Sequence, residues 1–304
     1  MNIEIEYKDN NGLITNRNYY ISKLGLIKHM AISGQRYGSN SYKILKAIGM
    51  YFQYHYYLDS QSLQNDKFSL PPDVLYDPTE KGQFSNIIGK AIADFLSKKI
   101  DNSIHTTNYE AAMKINGLAI IGSRPDLLAF ANNSTFAIEA KGYSRRSVSN
   151  NDMNQYKQQS QNGSIPVNFT VASVSYNLYN KVKCKYHDPD QSNHKLDTEL
   201  FTQLTKNYYS SFLDFIEFED CKQIKYNNEY FYEVNILSNI FNVESTLFKN
   251  KLFNYNIKLI LPINIKKYAK AGLEIDIKPF IFENTETLYI DTDRIGLKLG
   301  ENRI

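Results

Sequence analysis

Cysteine is scarce in this sequence, and long apolar runs are absent from it. The two cysteines, Cys184 and Cys221, form neither a CxxC pair nor metal-ligand spacing, which indicates reduced thiols. No apolar run approaches the roughly 20 residues that a membrane span needs. The first residues include Glu4 and Glu6 and lack the basic and apolar stretches of a signal peptide. We therefore expect a cytoplasmic protein with no membrane partner.

Composition and charge restrict the class of protein. With 304 residues, 42% hydrophobic and 13% aromatic, the chain is long and apolar enough for a globular core, and disorder is excluded. The net charge of +3 permits a nucleic-acid partner without requiring one. Residues 221–270 carry eight lysines against three glutamates, among many Tyr and Phe. This pattern fits either a phosphate-binding surface or a half-buried sheet with a solvated lysine face.

The pattern of elements is clearest in the middle third of the chain. Apolar residues from Phe84 to Leu96 recur at helical spacing, and Ser149-Asn-Asn-Asp152 has the capping-box form of a helix start. Asn132-Asn133 is typical of a two-residue hairpin turn, because asparagine tolerates the left-handed conformation. Strands are predicted over Thr106–Lys114, Asp126–Ala131, Thr135–Lys141 and Val167–Tyr176. The predicted order is helix, strand, strand, strand, helix, strand.

The outer parts of the chain show weaker patterns. Prolines in Ser69-Leu-Pro-Pro-Asp73 and in Asp77-Pro78 resist regular structure and mark a boundary. We therefore divide the chain into an amino-terminal extension (1–78), a central domain (79–180) and a carboxy-terminal region (181–304) that could bind nucleic acid or a partner. The other predicted elements are strands at Ile3–Tyr7, Lys258–Ile265 and Thr287–Asp291, and helices around Tyr42–Tyr56 and Leu196–Phe215.

Two carboxylates and a lysine fall together in the predicted hairpin. In Thr135–Lys141 the apolar residues alternate, so Glu139 and Lys141 share the opposite face of the strand. If Asn132 and Asn133 are the two central turn residues, the numbers of each cross-strand pair sum to 265. Asp126 then lies directly opposite Glu139.

Carboxylates that face each other across two strands repel. A proton or a cation between them removes the repulsion, and paired hard oxygen ligands suit Mg²⁺ bound together with a substrate phosphate. A lysine on the same face can orient the attacking water and offset negative charge in the transition state. Asp126, Glu139 and Lys141 are therefore candidates for a metal-dependent phosphodiesterase site.

Arg124-Pro-Asp126 followed by Glu139-Ala-Lys141 resembles the motif of the PD-(D/E)xK nuclease superfamily, the restriction-endonuclease-like proteins. The element order of that family matches the order predicted for residues 83–176. The resemblance implies an α/β (α+β) fold, with a mixed central β-sheet flanked by helices and with extensions at both ends. It also implies that Asp126 and Glu139 bind Mg²⁺, or Mn²⁺ as a substitute, with the Ala140 carbonyl as a third ligand and Lys141 as the catalytic lysine.

Two further features of the family bear on the site. One branch contributes a glutamine from the helix after the motif, and among Gln155, Gln158 and Gln159 we favour Gln155; a solvated polar face is the alternative. Many members also carry a glutamate on the helix before the first core strand. No acid stands at the expected place here, and the nearest candidates for an extra ligand are Glu80 and Glu110. The number of metal ions therefore stays open.

The resemblance implies a Mg²⁺-dependent DNA endonuclease acting on double-stranded DNA, as the effector of a bacterial restriction or anti-phage defence system. The alternative is a catalytically inactive protein of the same fold that serves as a nucleic-acid-binding or scaffolding subunit. A homodimer, or a partner protein in a defence complex, is compatible with either function. Arg145 and Arg146 follow the motif closely and could contact DNA phosphates or be ordinary surface residues.

Overall fold

The computed structural model shows a mixed α/β fold. It describes residues 1–34, 49, 53–74, 76–132, 134–187, 197–216, 221–235, 257–272, 280 and 282–300. The helices within these residues are α1 (Lys23–Ile32), α2 (Ser60–Gln64), α3 (Pro78–Ile100), α4 (Tyr109–Ile115), α5 (Asn150–Gln161), α6 (Thr198–Ser210) and α7 (Ile265–Ala271). None of these described helices is both long and apolar enough to cross a membrane.

The described strands are numbered in chain order. They are β1 (Asn2–Lys8), β2 (Ile14–Tyr20), β3 (His105–Asn108), β4 (Leu127–Ala131), β5 (Ser134–Gly142), β6 (Phe169–Tyr176), β7 (Lys183–His187), β8 (Cys221–Tyr226), β9 (Glu229–Asn235), β10 (Ile257–Pro262), β11 (Glu283–Asn284), β12 (Leu288–Ile290) and β13 (Gly296–Leu299). They form two sheets.

The first sheet has seven strands in the order β2-β1-β7-β6-β5-β4-β3. Strands β5 and β6 run parallel, as do β1 and β7, and the other neighbours are antiparallel. A hairpin cannot join a parallel pair, and α5, which lies between β5 and β6 in the chain, packs against both strands. The sheet is therefore mixed, as predicted. Strands β1 and β2 lie before residue 78 and belong to the same sheet as β3 to β7. The boundary expected at residue 78 therefore does not separate this sheet from the amino-terminal residues.

Helix α3 covers one face of this sheet. The Asp77 side chain accepts hydrogen bonds from N–H groups of the first turn, and Pro78 fits a position whose N–H needs no partner. Phe84, Ile88 and Phe95 are completely buried, and α3 packs against α1, β5 and β6. The helix predicted from the apolar stripe is confirmed.

The hairpin of β4 and β5 has the predicted register. Leu127 pairs with Ile138 and Ala131 pairs with Ser134, so the residue numbers of each pair sum to 265. Asn133, the second of the two expected turn residues, lies outside the described residues. The capping box that starts α5 is also confirmed, since the Ser149 hydroxyl and the Asp152 carboxylate each accept a hydrogen bond from the other residue's backbone N–H.

The strand predicted over Thr106–Lys114 is wrong beyond Asn108. The Asn108 side chain accepts a hydrogen bond from the Ala111 N–H at 3.1 Å and caps α4. An asparagine cap followed by buried residues at helical spacing (Tyr109, Ala112 and Met113) outweighs the strand tendency of the preceding threonines.

The second sheet has six strands in the order β11-β12-β13-β10-β9-β8, all antiparallel. The strand predicted over Lys258–Ile265 ends at Pro262, and α7 begins three residues later. Lys266, Lys267 and Lys270 therefore lie on a helix. The helix predicted over Leu196–Phe215 is confirmed as α6, within shorter bounds. The strand predicted at Thr287–Asp291 is confirmed as β12, also within shorter bounds. Most of the helix predicted around Tyr42–Tyr56 lies outside the described residues.

A buried network of charged side chains joins the helices on the first sheet to the second sheet. Lys28 of α1 and Lys98 of α3 each lie within 3.1 Å of both Asp291 and Asp293, which follow β12. These four side chains are at most 2% exposed. The Tyr208 hydroxyl also donates to Asp293, at 2.7 Å. Charges removed this far from water are tolerated only when each contacts an opposite charge.

His29 and Asp94 continue the buried network. The His29 ring places Nδ1 2.6 Å from Asp94 Oδ2 and Nε2 2.7 Å from the Tyr289 hydroxyl, and the Thr106 hydroxyl donates to Asp94 Oδ1 at 2.8 Å. Burial alone would raise the pKa of Asp94, but the Lys98 ammonium and the His29 ring bring it down to about 2. The network therefore ties α1, α3, β3 and the turn after β12 to one another.

Candidate active site

The hairpin register sets the position of the two predicted carboxylates. Asp126 comes directly before β4, and its backbone N–H donates to the Ile138 carbonyl at 3.0 Å. The next position on β5 is Glu139, so the two residues face each other as predicted. Asp126 is 19% exposed at its side chain, whereas Glu139 is completely buried. One carboxylate therefore faces the solvent and the other lies beneath the surface.

Lys141 connects the two carboxylates. Its ammonium nitrogen lies 3.3 Å from Asp126 Oδ2 and contacts Glu139 Oε1. The Ala140 N–H also donates to Asp126 Oδ2, at 3.3 Å. Asp126, Glu139 and Lys141 therefore come together as the sequence predicted. Ala140 approaches Asp126 through its N–H, and the role of its carbonyl as a ligand stays a prediction.

The electrostatic environment of Glu139 is unfavourable for a negative charge. Apart from the Lys141 ammonium, neither carboxylate oxygen has a hydrogen-bond partner among the described residues. Burial, and then the negative charge of Asp126, raises the pKa of Glu139 to about 7. Burial lowers the pKa of Lys141, but the two carboxylates outweigh that effect and the net shift is upward. Lys141 is therefore an ammonium at neutral pH. This one positive charge does not fully compensate the burial of the Glu139 carboxylate and the repulsion by Asp126.

Lys90, which the sequence analysis did not select, is a second lysine of the site. Its Nζ lies 2.8 Å from Asp126 Oδ1, so each oxygen of Asp126 contacts a different ammonium. The preceding residue, Gly89, allows α3 to touch β5, because a Cβ there would lie 2.5 Å from the backbone of Lys141 and Gly142. An isolated glycine inside an apolar helical stripe can mark such a close approach, and Lys90 could have been selected from this signal.

A cleft of about 310 Å³ opens beside Asp126. Its walls include Lys90, Arg124 and Gln159. The Arg124 guanidinium donates to Glu110 Oε1 from Nε at 3.0 Å, and the Gln159 amide donates to the Arg124 carbonyl at 3.3 Å. The cleft is therefore polar, and the exposed side of Asp126 faces it.

The remaining predicted site residues are placed differently. Gln155 is exposed, whereas Gln159, one turn later on α5, lines the cleft. Glu80 lies ten residues before Lys90 on α3, about 15 Å along the helix axis, and accepts a hydrogen bond from Tyr57 at 3.4 Å. Glu110 lines the cleft, on α4 rather than on a strand, and pairs with Arg124. The structure thus brings neither Gln155 nor Glu80 to Asp126.

The donors at this site fit one hard divalent cation. Asp126 and Glu139 provide carboxylate oxygens, and the buried oxygens of Glu139 have too few partners. Within the part of the chain that the structure describes, no three His, Cys, Asp or Glu side chains meet as a metal-binding group. Magnesium accepts one or two carboxylates when water and a substrate phosphate complete its shell, so the pair is compatible with Mg²⁺.

The expected nucleic-acid contacts are distributed over two surfaces. Arg145 lies 3.1 Å from Asp152 and stacks over the Tyr143 ring, and Arg146 is exposed. In the second sheet Lys258 is half-buried and pairs with Glu233. Five lysines of the described part of 221–270 are exposed, namely Lys222, Lys225, Lys266, Lys267 and Lys270.

Comparisons with protein-family models, with curated proteins and with solved structures found no match to this chain. Its function therefore has to be argued from the geometry of its own residues.

Proposed function

We propose that this chain is a Mg²⁺-dependent nuclease that hydrolyses phosphodiester bonds of double-stranded DNA through Asp126, Glu139 and Lys141. The observation that carries the proposal is Glu139, a buried carboxylate opposite Asp126 with only the Lys141 ammonium as its partner. Burying such a group costs several kcal/mol unless positive charge compensates it. A divalent cation between the two carboxylates would supply that charge.

Each residue has a distinct part in the proposed reaction. Asp126 and Glu139 would hold the ion, which when bound acts as a Lewis acid on the phosphate. Lys141 reaches both carboxylates and can orient a water molecule for attack on phosphorus. Its charge also offsets the negative charge that develops on the phosphate oxygens, an effect worth on the order of 3–4 kcal/mol. The core of this fold, with α3 and α5 on either side of β5, supports a restriction-endonuclease-like arrangement.

A second function is favoured by one observation. Lys90 and Lys141 contact both oxygens of Asp126, so the site already contains two positive charges without an ion. A binding or scaffolding subunit, which binds nucleic acid without cleaving it, would need these two ammonium groups and no metal ion. The absence of an acid from residues 81–90, where the family resemblance implies a glutamate, agrees with this alternative.

Cleavage of plasmid DNA in the presence of Mg²⁺ or Mn²⁺ tests the first function. Asp126→Asn, Glu139→Gln and Lys141→Met should each lower the rate at least about a hundredfold, the usual effect of removing one preorganised charge. Lys114→Gln, at an exposed position of α4, is the matched control and should cleave like the wild type.

Circular dichroism and thermal melting show whether the variants keep the fold. Wild-type rates in folded Asp126→Asn or Glu139→Gln would rule out the proposed site. A wild-type chain that binds DNA, but does not cut it with either ion, would favour the binding subunit instead.

A further inference from the structure

Close backbone contact between α3 and β5 brings Lys90 beside Asp126. A Cβ on Gly142 would lie 1.8 Å from the Ser85 carbonyl oxygen, and one on Gly89 would collide with the end of β5. Helix α3 is therefore pressed against β5 one residue before Lys90. The Lys90 side chain is 36% exposed and forms part of the cleft wall. Its ammonium thus touches Asp126 and faces the cleft at once.

The charges around Asp126 restrict what else can bind there. A second divalent ion on Oδ1 of Asp126 would need a further carboxylate. The ammonium of Lys90 lies 2.8 Å from that oxygen instead. Glu110, the other acid of the cleft wall, is paired with Arg124. An ammonium that reaches a polar cleft can bind a phosphate oxygen through a charge-assisted hydrogen bond.

We propose that Lys90 is a phosphate-binding residue and that the site holds a single divalent ion, with the Lys90 ammonium in the place of a second one. This inference rests on the proposed nuclease function. Lys90 binds a phosphate of the DNA backbone from the cleft side. Lys141 contacts the other oxygen of Asp126, Oδ2. The substrate would therefore be bound through one ion, held by Asp126 and Glu139, and through the ammonium of Lys90.

Ion stoichiometry and DNA binding test the proposal without measuring cleavage. Titration calorimetry with Mn²⁺ should give one ion per wild-type chain, and Lys90→Glu, which adds a third carboxylate, should bind two. Binding of a short DNA duplex in Ca²⁺ should weaken about tenfold in Lys90→Gln. The magnitude of its log–log salt slope should fall by roughly 0.9, the loss of one phosphate contact. Lys114→Gln should change neither quantity.

The possible results separate this inference from the function on which it rests. Two ions in the wild type, one ion in folded Lys90→Glu, or an unchanged salt slope in Lys90→Gln would overturn the role of Lys90 and leave the nuclease proposal intact. No ion in the wild type, or Mn²⁺ binding that survives Glu139→Gln, would overturn both.

Discussion

Aspartates and lysines meet in two places in this chain, with opposite consequences. In the buried network Lys28, Lys98, Asp291 and Asp293 are at most 2% exposed, and each contacts two opposite charges. At the candidate site the two lysines that contact Asp126 are 26% and 36% exposed. The same chemical groups are thus inaccessible to solvent in the buried network and accessible to it at the candidate site.

The comparison shows that partner count and exposure matter more than residue type. A buried charge with all its partners in place cannot accept another ligand without losing one of them. Glu139 is buried like the aspartates of the network, yet it has the Lys141 ammonium alone. A carboxylate with too few partners, next to ammonium groups that reach a cleft, can accept a cation and a phosphate. The charges of the network are therefore occupied by one another, whereas the charges at the candidate site can contact a ligand.

Removal of a network lysine should give the largest effect on stability. Lys98→Met removes one of the two ammonium groups that contact Asp291 and Asp293, and breaking a buried pair in this way costs about 3–5 kcal/mol of unfolding free energy. Lys90→Met, on the same helix at the open site, should cost less than about 1 kcal/mol. Urea unfolding of both variants measures the difference, and equal losses would contradict the distinction between the two clusters.

Acid should lower the free energy of unfolding through the buried side chain of His105. Burial, and then the charge of Lys98, lowers the pKa of this histidine from 6.5 to about 3, so the folded state keeps it neutral. The unfolded chain takes up a proton below pH 6.5. Stability is therefore fully present above pH 6.5 and falls, as the pH drops toward 3, by about 1.4 kcal/mol for each pH unit.

His105→Phe preserves the stacking on Tyr208 and removes the titration. Unfolding free energies of wild type and variant, measured from pH 7 down to pH 4.5, should differ by an amount that changes with this slope. Parallel pH profiles would show that His105 is not the group responsible.

Neutralising Glu139 should have a smaller effect, and in the opposite direction. Without metal, Glu139→Gln removes a buried charge that is short of partners and should raise the free energy of unfolding by about 1 kcal/mol. Mn²⁺ should stabilise the wild type and leave the variant unchanged. Thermal melting with and without Mn²⁺ measures both, and a variant less stable than metal-free wild type would place Glu139 with the network residues.

The exposed lysines of α7 should leave stability unchanged. If α7 contacts DNA, replacing Lys266, Lys267 and Lys270 by glutamine should lower the magnitude of the salt slope by roughly 0.9 for each lost phosphate contact. Fluorescence anisotropy at several salt concentrations gives the slope. An unchanged value would favour the solvated lysine face and direct the search to Arg145 and Arg146.

Local rules predicted the part of the site that depends on neighbours in sequence. The turn expected at Asn132-Asn133 predicted the pairing of β4 with β5 that the described strands have, and alternation along β5 placed Glu139 and Lys141 together. Gln155 and Gln159 share a face of α5, so the choice between them depends on which turn of the helix reaches the cleft, and periodicity does not determine that. The prediction of Glu80 as an extra ligand is wrong for the same reason, because the sequence does not show which turn of α3 contacts β5.

The buried network was beyond the reach of such rules. Its lysines and aspartates come from α1, α3 and the turn after β12, and Lys28 is separated from Asp293 by 265 positions. No periodicity links groups so distant, and a buried lysine on α3 has the same sequence appearance as an exposed one. The approach of α3 to β5 carried a local sign in Gly89 and Gly142, and Lys90 could have been selected from it.

The parallel pairing of β1 with β7 has a consequence for synthesis of the chain. Glu4 pairs with Lys183, so β1 lacks this neighbour until 179 further residues have been made. At 5–20 residues per second, translation of that length takes roughly 10 to 40 s. The edge of β1 that pairs with β7 in the finished protein stays without this partner on the nascent chain during that interval. Ribosome-bound chains that stop short of residue 183 should therefore need a chaperone to stay out of aggregates.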